Sequence, residues 1–162
     1  MAQPQASFSA FVELRQSLPS QVEFISPFVD QLMRFIKRFP NGDGSELDIE
    51  IAIREALANA IIHGNHEDPE KCVYVTSRCS QDGQVLITIR DQGQGFGKGA
   101  LSDPTTPDNI LSRNGRGIYL MQALMDEVHF EEGGTVVKMR KKRNVVATVD
   151  NRAVDGATAN HN

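Results

Sequence analysis

The chain has 162 residues, 40% of them hydrophobic and 23% charged, with a formal net charge of −4. That length fits one domain with a substantial core, and that composition is ordinary for a globular protein. The acidic balance argues against nucleic acid as a direct ligand, and no apolar stretch reaches the roughly 20 residues of a membrane helix. The opening Met1-Ala-Gln-Pro-Gln-Ala-Ser7 has no basic segment followed by an apolar run, so the expectation is a cytoplasmic protein without a secretion signal.

Phe8 to Leu18 reads as a first strand, with Val12 and Leu14 on one face and Glu13 and Arg15 on the other. Pro19-Ser20 ends it. A helix follows, and it has two plausible starts: Ser20-Gln-Val-Glu23 as a capping box, or Ser26-Pro27 with proline at the first helical position. Phe28, Leu32, Phe35, Ile36 and Phe39 recur at helical spacing until Pro40. Asn41-Gly-Asp-Gly44 is a turn. Ser45-Glu-Leu-Asp48 opens a second helix that runs to about His63-Gly64. Its Ile49, Ala52, Ile53, Ala56, Leu57, Ala60 and Ile61 cover much of its circumference, which predicts a buried central helix.

Cys72 to Ser80 and Gln84 to Arg90 alternate around Asp82-Gly83 and predict a hairpin. Cys72 and Cys79 then lie on one strand, roughly 23 Å apart at about 3.3 Å per residue, too far for a disulfide. Gly93 to Asn114 is a glycine-rich loop, followed by a short helix from Gly115 to about Asp126 with Ile118, Met121, Leu124 and Met125 as its stripe. Val128 to Glu132 and Thr135 to Arg143 form a second hairpin around Gly133-Gly134. The polar, patternless residues from about Asn144 read as a frayed tail. The organisation is one domain over residues 8–143 with flexible termini at 1–7 and 144–162. Its class is α+β: a two-layer sandwich with helices on one face of a mixed, mostly antiparallel sheet.

Three features carry chemistry. Glu55 and Asn59, four apart on a helix, share a face. An asparagine carbonyl is a hard neutral ligand suited to Mg²⁺, and a carboxylate one turn away can orient or deprotonate a hydroxyl or water. On the pair alone an ordinary polar pair on an exposed face is the better reading; the apolarity of the rest of the helix argues otherwise. Asp91 closes a strand, where a carboxylate facing a pocket can accept a hydrogen bond from the exocyclic amine of adenine. Taken alone, Asp91-Gln-Gly93 reads as a turn. Of 13 glycines, six fall at positions 93, 95, 97, 99, 115 and 117 and bracket a loop of lid length. Asn114-Gly-Arg-Gly117 precedes a helix, whose free N–H groups favour phosphate, and Arg113 and Arg116 can add charge there.

Other nucleotide motifs fail. Gly93 to Gly99 has no Lys-Ser/Thr pair and so is no P-loop, and it does not run directly into a helix as a Rossmann fingerprint would. His63 and His66 are three apart with glycine between and no third ligand, which favours a helix-end pair over a metal site. Lys138-Met-Arg-Lys-Lys-Arg143 reads as a solvated edge strand, where lysines discourage strand addition.

The motifs Glu55-Ala-Leu-Ala-Asn59, Asp91-Gln-Gly93-Gln-Gly95, Asn114-Gly-Arg-Gly-Ile118 and Gly134-Thr135, in this order, resemble the N box and three glycine boxes of the GHKL (Bergerat-fold) ATPases. Longer stretches, Glu55 to Asn65, Asp68 to Lys71, Asp91 to Phe96 and Gly115 to Val128, resemble the anti-sigma-factor serine kinase branch. The similarity covers roughly residues 8–142, and both termini match poorly. The resemblance implies ATP and Mg²⁺ as cofactors, with Asn59 as the metal ligand, Glu55 as the base and Asp91 as the adenine acceptor. It implies lid hinges at Gly93, Gly95, Gly115 and Gly117, and Thr135 supporting adenine. It also implies a partner switch: such proteins sequester a sigma factor and phosphorylate a serine or threonine of an anti-anti-sigma (STAS-domain) protein. The alternative is a nucleotide-binding regulatory module that transfers nothing, and a homodimer is left open.

Overall fold

The structure is a computed structural model that describes residues 10–40, 44–95 and 113–143, the side chains of 113 and 114 excepted. The predicted start of the first strand at Phe8, most of the Asn41–Gly44 turn, the loop interior with Gly97 and Gly99, and the two termini lie outside the described residues.

The elements in chain order are β1 (Phe11–Pro19), α1 (Ile25–Ile36), α2 (Glu46–Ala58), β2 (Cys72–Ser80), β3 (Gln84–Arg90), α3 (Arg113–Leu124), β4 (Glu127–Glu131) and β5 (Val136–Lys142). The five strands form one sheet in the order β1-β2-β3-β5-β4, and every pairing is antiparallel. The mostly antiparallel sheet expected from the hairpins is thus purely so. Its tight hairpin turns where Gly83 supplies a φ of 86°, and the Gln84 N–H donates to Ser80 Oγ at 3.1 Å. Cys72 and Cys79 are both free thiols.

Alternation decides which face is covered. Val73, Val75 and Cys79 of β2, Val85, Ile87 and Ile89 of β3, and Val137 and Met139 of β5 are buried in one cluster with the helices. All seven apolar positions expected on the second helix are buried, as are Met121 of α3 and Met125 just beyond it. Each large side chain buried in this way stabilises the fold by about 1.5–3 kcal/mol. On α1 the inward row is Phe28, Val29, Leu32, Met33 and Ile36, while Phe35 is only partly covered and meets Phe39 edge-on at 5.3 Å.

Some expectations shift. Helical structure begins in a short turn at Val22–Phe24, between the two expected starts, and Ser26 Oγ accepts from Arg54 Nη1 at 3.1 Å. Val12 is 50% exposed; it sits near the start of the edge strand β1, although its cross-strand neighbour Cys79 is buried. The second helix does reach Gly64, but residues Asn59–Gly64 widen into a π turn. The Asn65 N–H donates to the Ala60 carbonyl, five residues back, at 2.8 Å.

The basic strand β5 is interior, flanked by β3 and β4, and this corrects the edge-strand expectation. Four of the five cations from Lys138 to Arg143 face acidic partners, on two sides. Lys138 and Arg140 pair outward with Glu131 and Glu127 of β4 at 2.8 and 2.6 Å. Inward, Lys141 Nζ lies 3.2 Å from Asp48 and 2.5 Å from the Leu124 carbonyl, and the buried Arg143, just past β5, faces Glu46 at 3.6 Å.

Candidate functional site

The π turn, the ends of β3 and β5, and α3 enclose a cavity of about 270 Å³. Asn59, His63, Gly64 and His66 form one wall, Ile89 and Asp91 the floor, and Gly134, Thr135 and Val137 the far side. Ile118, Met121 and Phe130 make it apolar. A second cavity of about 510 Å³ is lined by Glu55, Asn59, Ile62, His63, Arg116 and Gly117. Asn59 and His63 line both, so the two adjoin.

Asp91 follows the last residue of β3 and is half-buried. Its N–H donates to the Thr135 carbonyl at 2.9 Å, and its Oδ1 accepts from the Gly93 N–H at 2.8 Å. Burial raises its carboxyl above the ordinary carboxylate value, opposed by the Gly93 hydrogen bond and by Lys71 and His66. Thr135 Oγ1 is turned to its own loop, donating to the Glu132 carbonyl at 3.0 Å.

Two glycines let the π turn and the β3 end touch. A Cβ on Gly64 would lie 2.4 Å from Asp91 Cγ, and one on Gly93 would lie 2.1 Å from the Gly64 carbonyl oxygen. Gly95 has φ 74°, and its Cβ would fall 2.3 Å from the Gly133 carbonyl oxygen. Gly93 and Gly95, read as hinges, therefore also meet a requirement of close approach.

On the other side α3 presses on α2. A Cβ on Gly117 would sit 2.8 Å from Glu55 Oε2 and 3.6 Å from Asn59 Oδ1. A glycine inside a helix costs about 1 kcal/mol relative to alanine, and this contact explains its presence. Arg116 is exposed beside it and Gly115 is buried; the side chain of Arg113 is outside the described residues. Asn59, Asp91, Gly95 and Thr135 thus meet on the first cavity, and Glu55, Asn59, Arg116 and Gly117 on the second.

The sequence reading missed a polar clasp beneath the site. Asn65 is fully buried. Its Nδ2 donates to the Cys72 carbonyl at 3.0 Å and its Oδ1 accepts from the Gln92 N–H at 2.7 Å. Gln92 Oε1 in turn accepts from the Cys72 N–H at 2.7 Å. This ring ties the end of the π turn to β2 and to the residue after Asp91. Its sole sequence signal is a hydrogen-bonding residue placed right after a helix-stopping glycine.

The histidine kinase-like ATPase domain family matches residues 18–141. The chain is 37% identical over 97 residues to an anti-sigma F factor of Heyndrickxia coagulans, across 57% of this chain and 66% of that protein. It is 34% identical over 125 residues to the anti-sigma F factor of Clostridium perfringens strain SM101, across 74% of this chain and 84% of that protein. The chain spans about two thirds of the length of several of the anti-sigma F factors it matches. The crystal structure of the RsbU and RsbW domains of a Mycobacterium tuberculosis protein shares the fold, with a TM-score of 0.56 at 18% identity, over 83% of this chain and 32% of that one.

Proposed function

Because the chain belongs to the histidine kinase-like ATPase domain family, we propose that it binds ATP in these adjoining cavities and is an anti-sigma factor with protein serine/threonine kinase activity. It holds a sigma factor and phosphorylates an anti-anti-sigma (STAS-domain) protein in the cytoplasm. The observation that carries this reading is that Asn59 and Asp91 line one cavity, which adjoins the cavity holding Glu55 and Arg116.

Each residue then has a task. Asp91, an acceptor at the apolar end, takes a hydrogen bond from the exocyclic amine of adenine, which guanine does not present there. The triphosphate runs past Asn59 toward Arg116 and the start of α3, where N–H donors and a guanidinium meet its charge. The Asn59 amide oxygen, half-buried beside Glu55 and against Gly117, fits a Mg²⁺ ligand that shares its shell with phosphate oxygens. Bound there, the ion supplies charge neutralisation across the phosphates. Glu55 accepts the proton of the partner's serine or threonine hydroxyl as its oxygen bonds to the γ-phosphorus. The bond from that phosphorus to the β–γ bridging oxygen breaks, and its electron pair leaves with ADP.

The test is transfer of labelled γ-phosphate to candidate STAS proteins alongside ATP-binding isotherms. Asp91→Asn loses ATP, because the amide presents a donor where an acceptor is required. Glu55→Ala keeps ATP and loses transfer. Retained affinity in the first variant refutes the adenine contact, and an unchanged rate in the second removes Glu55 from the reaction. Wild-type protein that binds ATP yet labels no partner is a regulatory module instead.

A further inference from the structure

We propose that the exposed ion pair of Arg90 and Glu132 positions the adenine end of the site, by holding the turn from Glu132 to Thr135 in the conformation that builds that end of the cavity. This deepens the reading of the site given above and rests on Asp91 as the adenine acceptor.

The turn does not select its own shape. Between β4 and β5 three successive residues are left-handed: Glu132 at φ 51°, Gly133 at 68° and Gly134 at 97°. Two adjacent glycines adopt φ of either sign about equally, so they permit this conformation without favouring it. Glu132 has a Cβ and is strained there. What favours the turn comes from the end of β3, 42 residues earlier in the chain. Nη1 and Nη2 of Arg90 donate to the two carboxylate oxygens of Glu132, the Nη2 bond at 2.8 Å. A guanidinium forked on a carboxylate fixes orientation as well as distance.

The turn so fixed reaches the cavity through three contacts. The Glu132 carbonyl accepts from Thr135 Oγ1 at 3.0 Å, the Thr135 carbonyl accepts from the Asp91 N–H at 2.9 Å, and the Gly133 carbonyl abuts Gly95. Gly95, Gly134 and Thr135 line the first cavity together with Asp91. Arg90 and Glu132 line neither cavity. Arg90 follows the inward-facing Ile89, so alternation turns it to the open face of the sheet, where it and Glu132 are 48% and 54% exposed. The pair therefore acts on a nucleotide only through the backbone between them. An exposed pair adds little to global stability, but apparent affinity falls in proportion to the fraction of turns in the competent conformation.

The experiment is calorimetric titration of the full chain with ATP and with ADP, each with Mg²⁺. The proteins are wild type, Arg90→Ala, Glu132→Ala, the double alanine variant, and the exchanged pair Arg90→Glu with Glu132→Arg. Alanine keeps the left-handed strain at position 132 and removes only the carboxylate. Each single variant is expected to weaken ATP and ADP alike by about three- to fivefold, the upper range for an exposed pair. The double variant should bind no more weakly than either single one, and the exchanged pair should return to within about twofold of wild type. Amide hydrogen exchange at Asp91 should quicken in both single variants while urea unfolding stays near that of wild type. Unchanged affinity in both single variants of a chain that binds ATP overturns the role of the pair and leaves the ATP site standing. A loss in Arg90→Ala joined to a gain in Glu132→Ala does the same, because it marks the two charges acting on the phosphates through their field. Wild-type protein that binds neither nucleotide overturns the adenine reading, and the positioning role with it.

Discussion

Alanine at Gly64 perturbs the cavity without removing any group that would touch a nucleotide. The new Cβ would fall 2.4 Å from Asp91 Cγ and 2.5 and 2.8 Å from its two oxygens. Carbon atoms pack at about 3.5–4.0 Å, so Asp91 or the π turn must give way by about 1 Å. Asp91 is held from below by the Gly93 N–H at 2.8 Å, and a displacement of that size stretches the bond past the useful range. The carboxylate would then miss the adenine amine. Losing a hydrogen bond to a charged acceptor costs about 1.5–3 kcal/mol, hence a Kd for ATP raised about 10- to 150-fold. Overpacking takes only about 1–3 kcal/mol from the fold, so the variant should remain folded. Calorimetric ATP titration and urea unfolding on the same preparation separate the two effects. A folded Gly64→Ala protein with ATP affinity within twofold of wild type would refute the placement of adenine against Asp91.

Two further outcomes are expected. Asn65→Ala leaves the Cys72 carbonyl and the Gln92 N–H without their partner, and urea unfolding should show a loss of about 2–4 kcal/mol; a loss below about 1 kcal/mol contradicts the clasp. Asp91 has a carboxyl raised by burial, so ionising it opposes folding: the favourable contribution is present below the unfolded pKa and is lost as pH rises through the folded one. Asp91→Asn should therefore melt above wild type near pH 7, with the gap closing as pH falls toward about 4; a variant that melts no higher at pH 7 rules this out.

What could be read from residue order was whatever a single element decides. The apolar positions from Ile49 to Ile61 are buried because one periodic pattern specifies one helix face. The turn at Asp82-Gly83 fixes a hairpin, and the site residues converge because Asn59 ends α2 and Asp91 ends β3. What failed depends on elements distant in sequence. Lys138 to Arg143 looks like an edge because cations protect edges, but its acidic partners come from β4 and from the first turn of α2, and strand order has no local signal. The π turn has the composition of any helix end; the demand for it lies in Gly64 having to reach Asp91. Asn65 could not be assigned because its partners sit on β2 and beyond β3.

The paired cations at the tail of β5 have a consequence beyond solubility. Asp48 and Glu46 lie at the end of α2 opposite Asn59, about 17–20 Å away at 1.5 Å per residue. Apolar side chains resist tilting but tolerate small lengthwise slippage of a rod on a sheet. Lys141 and Arg143 tie that end of the helix by charge to the sheet that carries Asp91 at its other end. A charge reversal at Asp48 would thus be felt as a change of fit at a ligand it never meets.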